Sequence, residues 1–292
     1  MVKNDKIFQI ILNLIMILLC LICVLPFLLL ISSSFSADSD LVKYGYSFLP
    51  RKLDLSAYRY LIFGSKSIVK GYGISIFVTV TGTLISLMLT TLFAYPLSRR
   101  NLPGRNFFAF FIFFTMLFNG GLVPTYIMWT QMFHIKNTLW ALIVPGLLLN
   151  AFNVIMMRSY LTTSIPEEII EAARVDGAGE VRTLLRIVLP MAKPIIATLV
   201  LMIGLSYWND WVNGLYYLNN DKLYSIQVLL NRMLQNVEMI KKAASSGGTG
   251  MKMPSTSIRM AVAVIGAIPI LIIYPFFQKS FVKGIVIGAV KG

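Results

Sequence analysis

The 292-residue sequence is 57% hydrophobic and only 13% charged, with a mean hydropathy of +0.75. A soluble domain carries about 25% charged residues, so the composition excludes an ordinary soluble protein and predicts that lipid surrounds much of the chain. The formal net charge is +14, but the basic residues stand in the gaps between apolar runs. That distribution favours lipid headgroups and an acidic partner over nucleic acid.

The first apolar run covers residues 7–31 and is long enough to cross a hydrocarbon core of roughly 30 Å. A cleavable signal peptide has a shorter apolar region of about 7–15 residues, although the serine tract at 32–34 leaves that alternative open. Cys20 and Cys23 lie within the run, in no metal-binding or disulfide pattern, so we expect them to be packing residues.

Five further apolar runs, together with the first, predict an all-α membrane protein with six transmembrane helices. They cover residues 72–97, 106–130, 138–157, 194–216 and 258–278. The third run contains Gly120, Gly121 and Pro124, which are residues that can open or kink a membrane helix.

The short loops predict the orientation of the chain. Basic residues divide equally between the two sides when every loop is counted, but the short loops carry more weight. The loop before the third run holds Arg99, Arg100 and Arg105, whereas the loop after it holds only Lys136. Both termini are therefore predicted to face the cytoplasm.

The same reading divides the chain into three parts. They are a first span with its outer loop, a main membrane domain and a cytoplasmic tail, at residues 1–71, 72–278 and 279–292. A second long outer loop at 217–257 contains a Ser/Gly-rich stretch at 245–250, which we expect to be a flexible tether.

The connection between the fourth and fifth runs, residues 158–193, has the strongest local signals. Ser164 and Glu167 predict a capping box, with Pro166 in the first turn of the helix that follows. Gly177 predicts the end of that helix, because glycine adopts the left-handed conformation without strain. A second short helix is expected to follow and to lead into the fifth run.

Each of these two helices is predicted to have a distinct apolar face. Ile169, Ala172 and Ala173 share one face of the first helix. In the second helix, four apolar residues are predicted to oppose two arginines: Val181, Leu184, Leu185 and Val188 against Arg182 and Arg186. The result is a compact helix–turn–helix whose small-residue face lets the groove of a partner approach closely.

The acidic residues of the first helix, Glu167, Glu168 and Glu171, can pair with basic groups on the wall of such a groove. The alternative is an ordinary amphipathic helix resting on the membrane. Anionic headgroups would repel the acidic face in that position, which favours docking to a partner.

Residues in this connection closely resemble the EAA motif of ABC importer permeases. The matching residues are Glu171-Ala172-Ala173, Asp176-Gly177-Ala178, Ile187, Leu189-Pro190 and Pro194. Other segments are similar to the carbohydrate-uptake, MalG-like branch of these permeases: residues 95–99, 102–105, 120–126 and 288–292.

The resemblance implies the type I importer fold in the plasma membrane of a bacterium. It also implies a second homologous permease subunit in a heterodimer, a cytoplasmic ATPase dimer that binds ATP and Mg, and an extracellular solute-binding protein that delivers a carbohydrate, expected to be an oligosaccharide. A coupling helix would sit in a cleft of the ATPase, the loop at 217–257 would contact the binding protein, and the tail at 283–292 would reach toward the ATPase. The residues it implicates in coupling are Glu167, Glu168, Glu171, Ala172, Ala173, Asp176 and Gly177.

The chain has no nucleotide-binding motif of its own. No G-x-x-x-x-G-K-[ST] pattern is present, since residues 64–67 and 247–252 both fail its spacing. ATP hydrolysis is therefore predicted on a partner, and the chain is predicted to be a transport subunit without a cofactor, not an enzyme. Two alternatives stay open, a secondary transporter and a membrane-embedded glycan-processing enzyme, but the sequence shows few buried ionisable relays and no catalytic cluster.

The outer part of the fifth run predicts contacts to a sugar, which needs polar groups beside aromatic rings. The candidates are Tyr207, Trp208, Asn209, Asp210 and Trp211. The alternative is an aromatic belt at the membrane interface with Asp210 at the water line. Weaker candidates, which helix–helix hydrogen bonds would explain equally well, are Asn119, Asn150 and Asn153.

Overall fold

The computed structural model describes residues 6–64, 66–245 and 256–289. Within those ranges the regular structure is helical, and extended segments pair only at the isolated bridge between Ser36 and Leu53. The all-α prediction is therefore confirmed. The chain forms two compact units, Met1–Val69 with Leu229–Pro269 and Lys70–Val228 with Ile270–Gly292. The domain boundaries after residues 71 and 278 stay a prediction.

The first seven helices include three of the predicted spans. They are α1 (Lys6–Ser34), α2 (Asp38–Tyr44), α3 (Ser56–Arg59), α4 (Lys66–Ser98), α5 (Arg105–Leu117), α6 (Leu122–Ile127) and α7 (Trp140–Ile143). A π-helical turn continues α3 over Tyr60–Gly64, and another continues α6 over Met128–Met132.

The remaining helices contain the helix–turn–helix and the last two spans. They are α8 (Ala151–Ser164), α9 (Glu167–Val175), α10 (Glu180–Thr183), α11 (Leu189–Met191), α12 (Lys193–Asn209), α13 (Val212–Tyr217), α14 (Ile226–Ser245) and α15 (Thr256–Ala289). Helix α14 lies within the connection at 217–257, for which the sequence predicted no helix. Most of the Ser/Gly-rich stretch, at 246–250, and the end of the tail, at 290–292, lie outside the described residues.

Four helical segments in the described residues are long and apolar enough to cross a membrane: Phe8–Ser34, Lys66–Ser98, Lys193–Tyr217 and Thr256–Phe276. A fifth candidate is the pair Arg105–Leu117 and Leu122–Met132, which is bent by 109°. The bend falls at the predicted glycines, where Gly121 has a φ of +87°.

The fourth predicted span is not one continuous helix. Residues 138–157 instead form α7 and the beginning of α8, with an irregular segment between them. Pro145 and Gly146, which has a φ of +71°, lie in that segment and interrupt the helical hydrogen bonds. The membrane fold is confirmed, whereas the count of six helices stays a prediction.

In the second unit, α4 packs closely against α12. The ring of Tyr207 lies directly over Gly82, and a Cβ atom at that glycine would come within 2.6 Å of the ring. Gly204 of α12 faces Thr83 in the same contact, and a Cβ atom at this glycine would lie 3.6 Å from the Thr83 Oγ1 atom. Small residues bring membrane helices close together in this way.

Candidate functional site

The helix–turn–helix at residues 165–192, here termed the EAA hairpin, begins with α9. Ser164 is the last residue of α8, Pro166 occupies the N-cap position of α9, and no side chain caps the helix. The predicted capping box of Ser164 and Glu167 is therefore wrong. The reason is the proline, which holds the preceding Ile165 in an extended conformation and so ends α8 early.

The end of α9 is formed by Gly177, as the sequence predicted. This glycine has a φ of +77°, and no atom lies within 4 Å of the position its Cβ would take. The chain turns back so that Ala178 N donates to Ala173 O at 2.9 Å and Asp176 N donates to Ala172 O at 3.0 Å. Glycine is therefore required here for its conformation and not for space.

Helix α9 buries a narrow face. Ile170 and Ala173 are buried, whereas Ile169 and Ala172 are exposed. Ile169, Ala172 and Ala173 lie at neighbouring positions of one helix as predicted, but they do not share one exposed surface, because Ala173 is buried. Because Ile169 and Ile170 are adjacent, the helical pattern of apolar residues allows either one to be buried. In the structure the buried residue is Ile170. The side chains on the other side form what we term the exposed face of α9: Glu168, Glu171, Ala172, Val175 and Asp176.

The second half of the EAA hairpin also differs from its predicted pattern. Leu184 and Val188 are buried as predicted, but Val181 and Leu185 are 71% and 57% exposed. Residues 184–188 form a π-helical turn, which has more residues per turn than an α-helix and rotates Leu185 away from the buried face. Sequence periodicity assumed an α-helix and could not anticipate this turn.

Glu180 joins the two halves of the EAA hairpin to α4. Its Oε1 atom accepts hydrogen bonds from Arg174 Nη2 at 2.7 Å and from Arg174 Nε at 3.2 Å. Its Oε2 atom accepts a hydrogen bond from the Tyr95 hydroxyl at 2.7 Å. The bonds from Tyr95 and Arg174 hold the pKa of Glu180 below its ordinary value.

The loop after α4 also contacts the EAA hairpin. Arg100 Nε lies 3.4 Å from Glu167 Oε2, and the Arg99 guanidinium lies 5.1 Å from the centre of the Tyr95 ring. A cavity of about 360 Å³ remains between this loop and the hairpin. Its lining includes Leu92, Pro96, Arg99, Leu102, Val181 and Leu184.

The predicted sugar contacts lie at the other end of α12, and two of the aromatic residues are buried. Tyr207 donates its hydroxyl hydrogen to Ile143 O at 2.9 Å. Trp208 packs with its ring centre 6.2 Å from that of Tyr72. Asn209 and Trp211 are exposed. In this structure Tyr207 and Trp208 therefore serve as packing residues between helices.

Asp210 lies at the break between α12 and α13. Its Oδ1 atom accepts hydrogen bonds from the backbone nitrogens of Val212 at 3.1 Å and Asn213 at 3.3 Å, so the carboxylate caps α13. The neighbouring Asn213 donates from Nδ2 to Pro145 O at 3.0 Å. The Asp210 Oδ2 atom is covered and accepts no hydrogen bond from the described residues.

Two of the three predicted asparagines stabilise local structure through hydrogen bonds, and the third is buried. Asn119 Oδ1 accepts from Gly121 N at 2.8 Å at the bend after α5. Asn150 Oδ1 accepts from Phe152 N at 2.9 Å and caps α8. Asn153 is buried on α8. These positions are consistent with structural roles, and their place in a sugar path stays a prediction.

Comparisons with a sequence family, with individual relatives and with a solved structure place this architecture among known proteins. The sequence family described as the binding-protein-dependent transport system inner membrane component matches residues 82–287. This match covers the EAA hairpin, α12 and most of α15. The chain belongs to this family. It is therefore a multi-pass component of the bacterial inner membrane, a permease subunit and not an enzyme.

Individual relatives agree with the family. The permease is 38% identical to the polygalacturonan/rhamnogalacturonan transport system permease protein YtcP of Bacillus subtilis, over 99% of this chain and 100% of the relative. It is 37% identical to protein LplC of the same organism, over 93% and 90% of the two chains. A chain from the crystal structure of a bacterial ABC transporter that imports the acidic polysaccharide alginate aligns with a TM-score of 0.82 and 31% identity, over 96% of this chain and 99% of that chain. The predicted ABC importer permease is thus confirmed.

The sequence predicted no role for Glu180 of the permease. This residue accepts three hydrogen bonds, although predicted functional and packing residues lie on both sides of it in the chain. Tyr95 lies in a segment that resembles the family, but the sequence predicted no role for it either. One signal was available, because Arg174 and Glu180 flank the Gly177 turn and a turn brings such residues together. The described residues contain no group of three metal-binding side chains.

Proposed function

We propose that the permease imports oligosaccharides that an extracellular solute-binding protein delivers, and that a cytoplasmic ATPase dimer drives it. A second, homologous permease subunit completes the pathway in a heterodimer, and ATP and Mg bind the ATPase. The observation that most supports an ATPase-driven importer is the exposed face of α9. This helix belongs to a hairpin that is joined to α8 at one end and to α12 at the other. Relatives named for polysaccharide transport support the carbohydrate substrate.

The exposed face of α9 has the properties that docking to an ATPase requires. Glu168, Glu171 and Asp176 present carboxylates to basic groups, while Ala172 allows a groove to approach the helix backbone. Val175, at 87% exposed, adds an apolar contact that has no cover within the chain. Glu167 and Ala173 hold the helix in place from its other side, and Gly177 fixes its end.

The position of the basic loop supports a cytoplasmic location for the EAA hairpin. The contact of Arg100 with Glu167 brings the loop at 99–104 and the hairpin to the same end of the second unit. Short loops rich in arginine stay in the cytoplasm, so the hairpin lies there too. Both termini are then cytoplasmic, as the sequence predicts.

At the outer end of α12, Asp210 is the best candidate for a sugar contact. Its carboxylate already caps α13, and its covered Oδ2 atom accepts no hydrogen bond from the described residues. A movement of the break between α12 and α13 would have to uncover this atom for a sugar to reach it. Exposed Asn209 and Trp211 flank it and offer an amide and an aromatic surface, which suit a sugar. Tyr207 and Trp208 hold this segment against its neighbours.

Site-specific crosslinking tests the docking. Glu171→Cys and Ala172→Cys variants, reconstituted with the second permease subunit and the ATPase, are expected to form crosslinks to the ATPase. Phe133→Cys is an exposed control on the opposite side of the predicted membrane. If neither α9 position captures the ATPase, or if uptake continues without ATP, the proposal fails and a secondary transporter is favoured.

Calorimetry on the cognate solute-binding protein identifies the sugar. The panel should contain acidic and neutral oligosaccharides of matched length, because two relatives are named for polygalacturonan and alginate. Binding of either class supports import of oligosaccharides and defines its specificity. Binding of non-carbohydrate solutes alone would refute the carbohydrate assignment.

A further inference from the structure

Three helices surround the EAA hairpin, but the chain connects only two of them to it. Helix α8 leads into α9 through Ile165 and Pro166, and α11 leads into α12 through Ala192. Any displacement of the hairpin therefore pulls α8 and α12 directly through the backbone. Helix α4 ends at Ser98 and has no backbone connection to the hairpin. It packs on α12 near Gly82. Its end near the hairpin is held by side-chain bonds, which include the bond from Arg158 Nε of α8 to Leu97 O at 3.1 Å.

The Tyr95–Glu180 hydrogen bond is the best-formed of these side-chain connections. Tyr95 lies in the last turn of α4 and is only 6% exposed, so its ring is held firmly by the helix packing. Glu180 begins α10 and is gripped from the other side by the forked guanidinium of Arg174, at the end of α9. One carboxylate thus connects α4, α9 and α10.

Charge and length make this connection stronger than the alternatives. Hydrogen bonds to an ionised carboxylate at 2.7 Å are short and about twice as strong as neutral ones. The ion pair of Arg100 and Glu167 is longer, at 3.4 Å, and its side chains are 78% and 39% exposed. Such a pair contributes little in water. The pair of Arg174 and Glu180 is also exposed, at 40% and 55%, so the connection depends mainly on the bond from the buried Tyr95.

The apolar contact of α9 is too small to replace the hydrogen bond. Only Ile170 and Ala173 are buried in this nine-residue helix. A load on the exposed face of α9 would therefore reach the end of α4 near the hairpin mainly through polar side chains. The carboxylate of Glu180 is suited to that task because two donors hold it from opposite sides.

We infer that Glu180 is a positioning residue that fastens α4 to the EAA hairpin, so that α4, α8 and α12 move together when the ATPase displaces α9. The inference rests on the proposed function. Without the fastening, the ATPase still binds and hydrolyses ATP, and α8 and α12 still respond. The end of α4 near the hairpin lags behind, and the number of sugars moved per ATP falls.

The complete importer, reconstituted in proteoliposomes with its binding protein, allows a direct test. Tyr95→Phe removes only the donating hydroxyl, and Glu180→Gln removes the charge. Tyr58→Phe is the matched control, because the Tyr58 hydroxyl makes a hydrogen bond of the same length, 2.7 Å, to Ser34 in the other unit. The measured quantity is sugar transported per ATP hydrolysed.

We expect Tyr95→Phe and Glu180→Gln each to lower this ratio about fivefold, since the hydrogen bond is only partly buried and its loss or weakening is worth about 1 kcal/mol. ATPase activity stimulated by the binding protein should stay within about twofold of wild type. The double variant should be no worse than either single variant, since both break the same connection. Tyr58→Phe should leave the ratio unchanged.

An unchanged ratio in Tyr95→Phe, or uptake and ATPase activity that fall in proportion, overturns the inference. The crosslink from Glu171→Cys to the ATPase, repeated in the Tyr95→Phe background, separates the two proposals. If the crosslink forms at the wild-type yield while the ratio is unchanged, only the role of Glu180 is refuted. If the crosslink is also absent in the protein that keeps Tyr95, the docking of α9 to the ATPase is itself refuted.

Discussion

The two candidate sites of this permease lie at opposite ends of α12, and the sequence described them unequally. The EAA hairpin, before α12, exposes most of the side chains that its motif predicted to be functional. The segment at 207–211, after α12, instead buries both of its leading aromatic residues, Tyr207 and Trp208. The exposed residues of a short helical hairpin are determined mainly by residues close to them in sequence. Which residues line a transport path depends instead on helices that are distant in sequence.

The largest expected effect tests the rigidity of the EAA hairpin. Gly177→Val should lower sugar uptake by the reconstituted importer about tenfold or more, because a β-branched residue at a φ of +77° is strained. Insertion into the membrane should be normal. Gly179→Val is the control two residues away, since that glycine has open space and no positive φ. Equal losses in both variants would contradict a conformational role for Gly177.

The next effect concerns the packing role of Tyr207. Gly82→Ala places a methyl group within 2.6 Å of the Tyr207 ring and should destabilise the purified protein by about 1–3 kcal/mol. Gly73→Ala lies on the same helix with no atom within 4 Å, and it should be neutral or stabilising. Thermal unfolding in detergent measures both. A stable Gly82→Ala variant would mean that Tyr207 is free to leave α4 and face a ligand.

Two substitutions of Asp210 distinguish its role as a helix cap from a role in sugar binding. Asp210→Asn keeps an oxygen that can accept from Val212 and Asn213 but removes the carboxylate charge. We expect uptake to fall about fivefold with little change in unfolding temperature, because the change from a charged to a neutral hydrogen bond with the sugar costs about 1 kcal/mol. Asp210→Ala should lower the unfolding temperature as well, since it removes the cap. Normal uptake by Asp210→Asn would leave Asp210 as a cap alone.

The smallest effect is the pH dependence of the Glu180 contact. Its pKa lies below the ordinary value of 4.5 in the folded protein, so its stabilisation is complete above pH 4.5 and is lost as the pH falls through the lowered pKa. Glu180 is largely exposed, so the gain is about 0.5 kcal/mol or less. The difference in unfolding temperature between wild type and Glu180→Gln should shrink below pH 4.5. A difference that grows with acidification would contradict this assignment.

Much of the fold followed from the sequence. Long apolar runs predicted α1, α4, α12 and α15, because a helix in lipid must satisfy its own backbone hydrogen bonds. The glycine pair at 120–121 anticipated the bend after α5. The fourth run was harder, because its composition suits a membrane helix throughout and only the path of the chain shows where Pro145 and Gly146 interrupt it.

The sequence by itself determined the membrane environment, the family and the end of α9 at Gly177, since each depends on composition or on residues adjacent in the chain. The tertiary structure decided which face of α9 is buried, that Asp210 caps α13, and that Glu180 holds Tyr95. The contact of Glu180 joins residues far apart along the chain, since Tyr95 and Glu180 are separated by 85 positions. Helical periodicity restricts which side chains share a face, but only the neighbouring helices select the face that is covered.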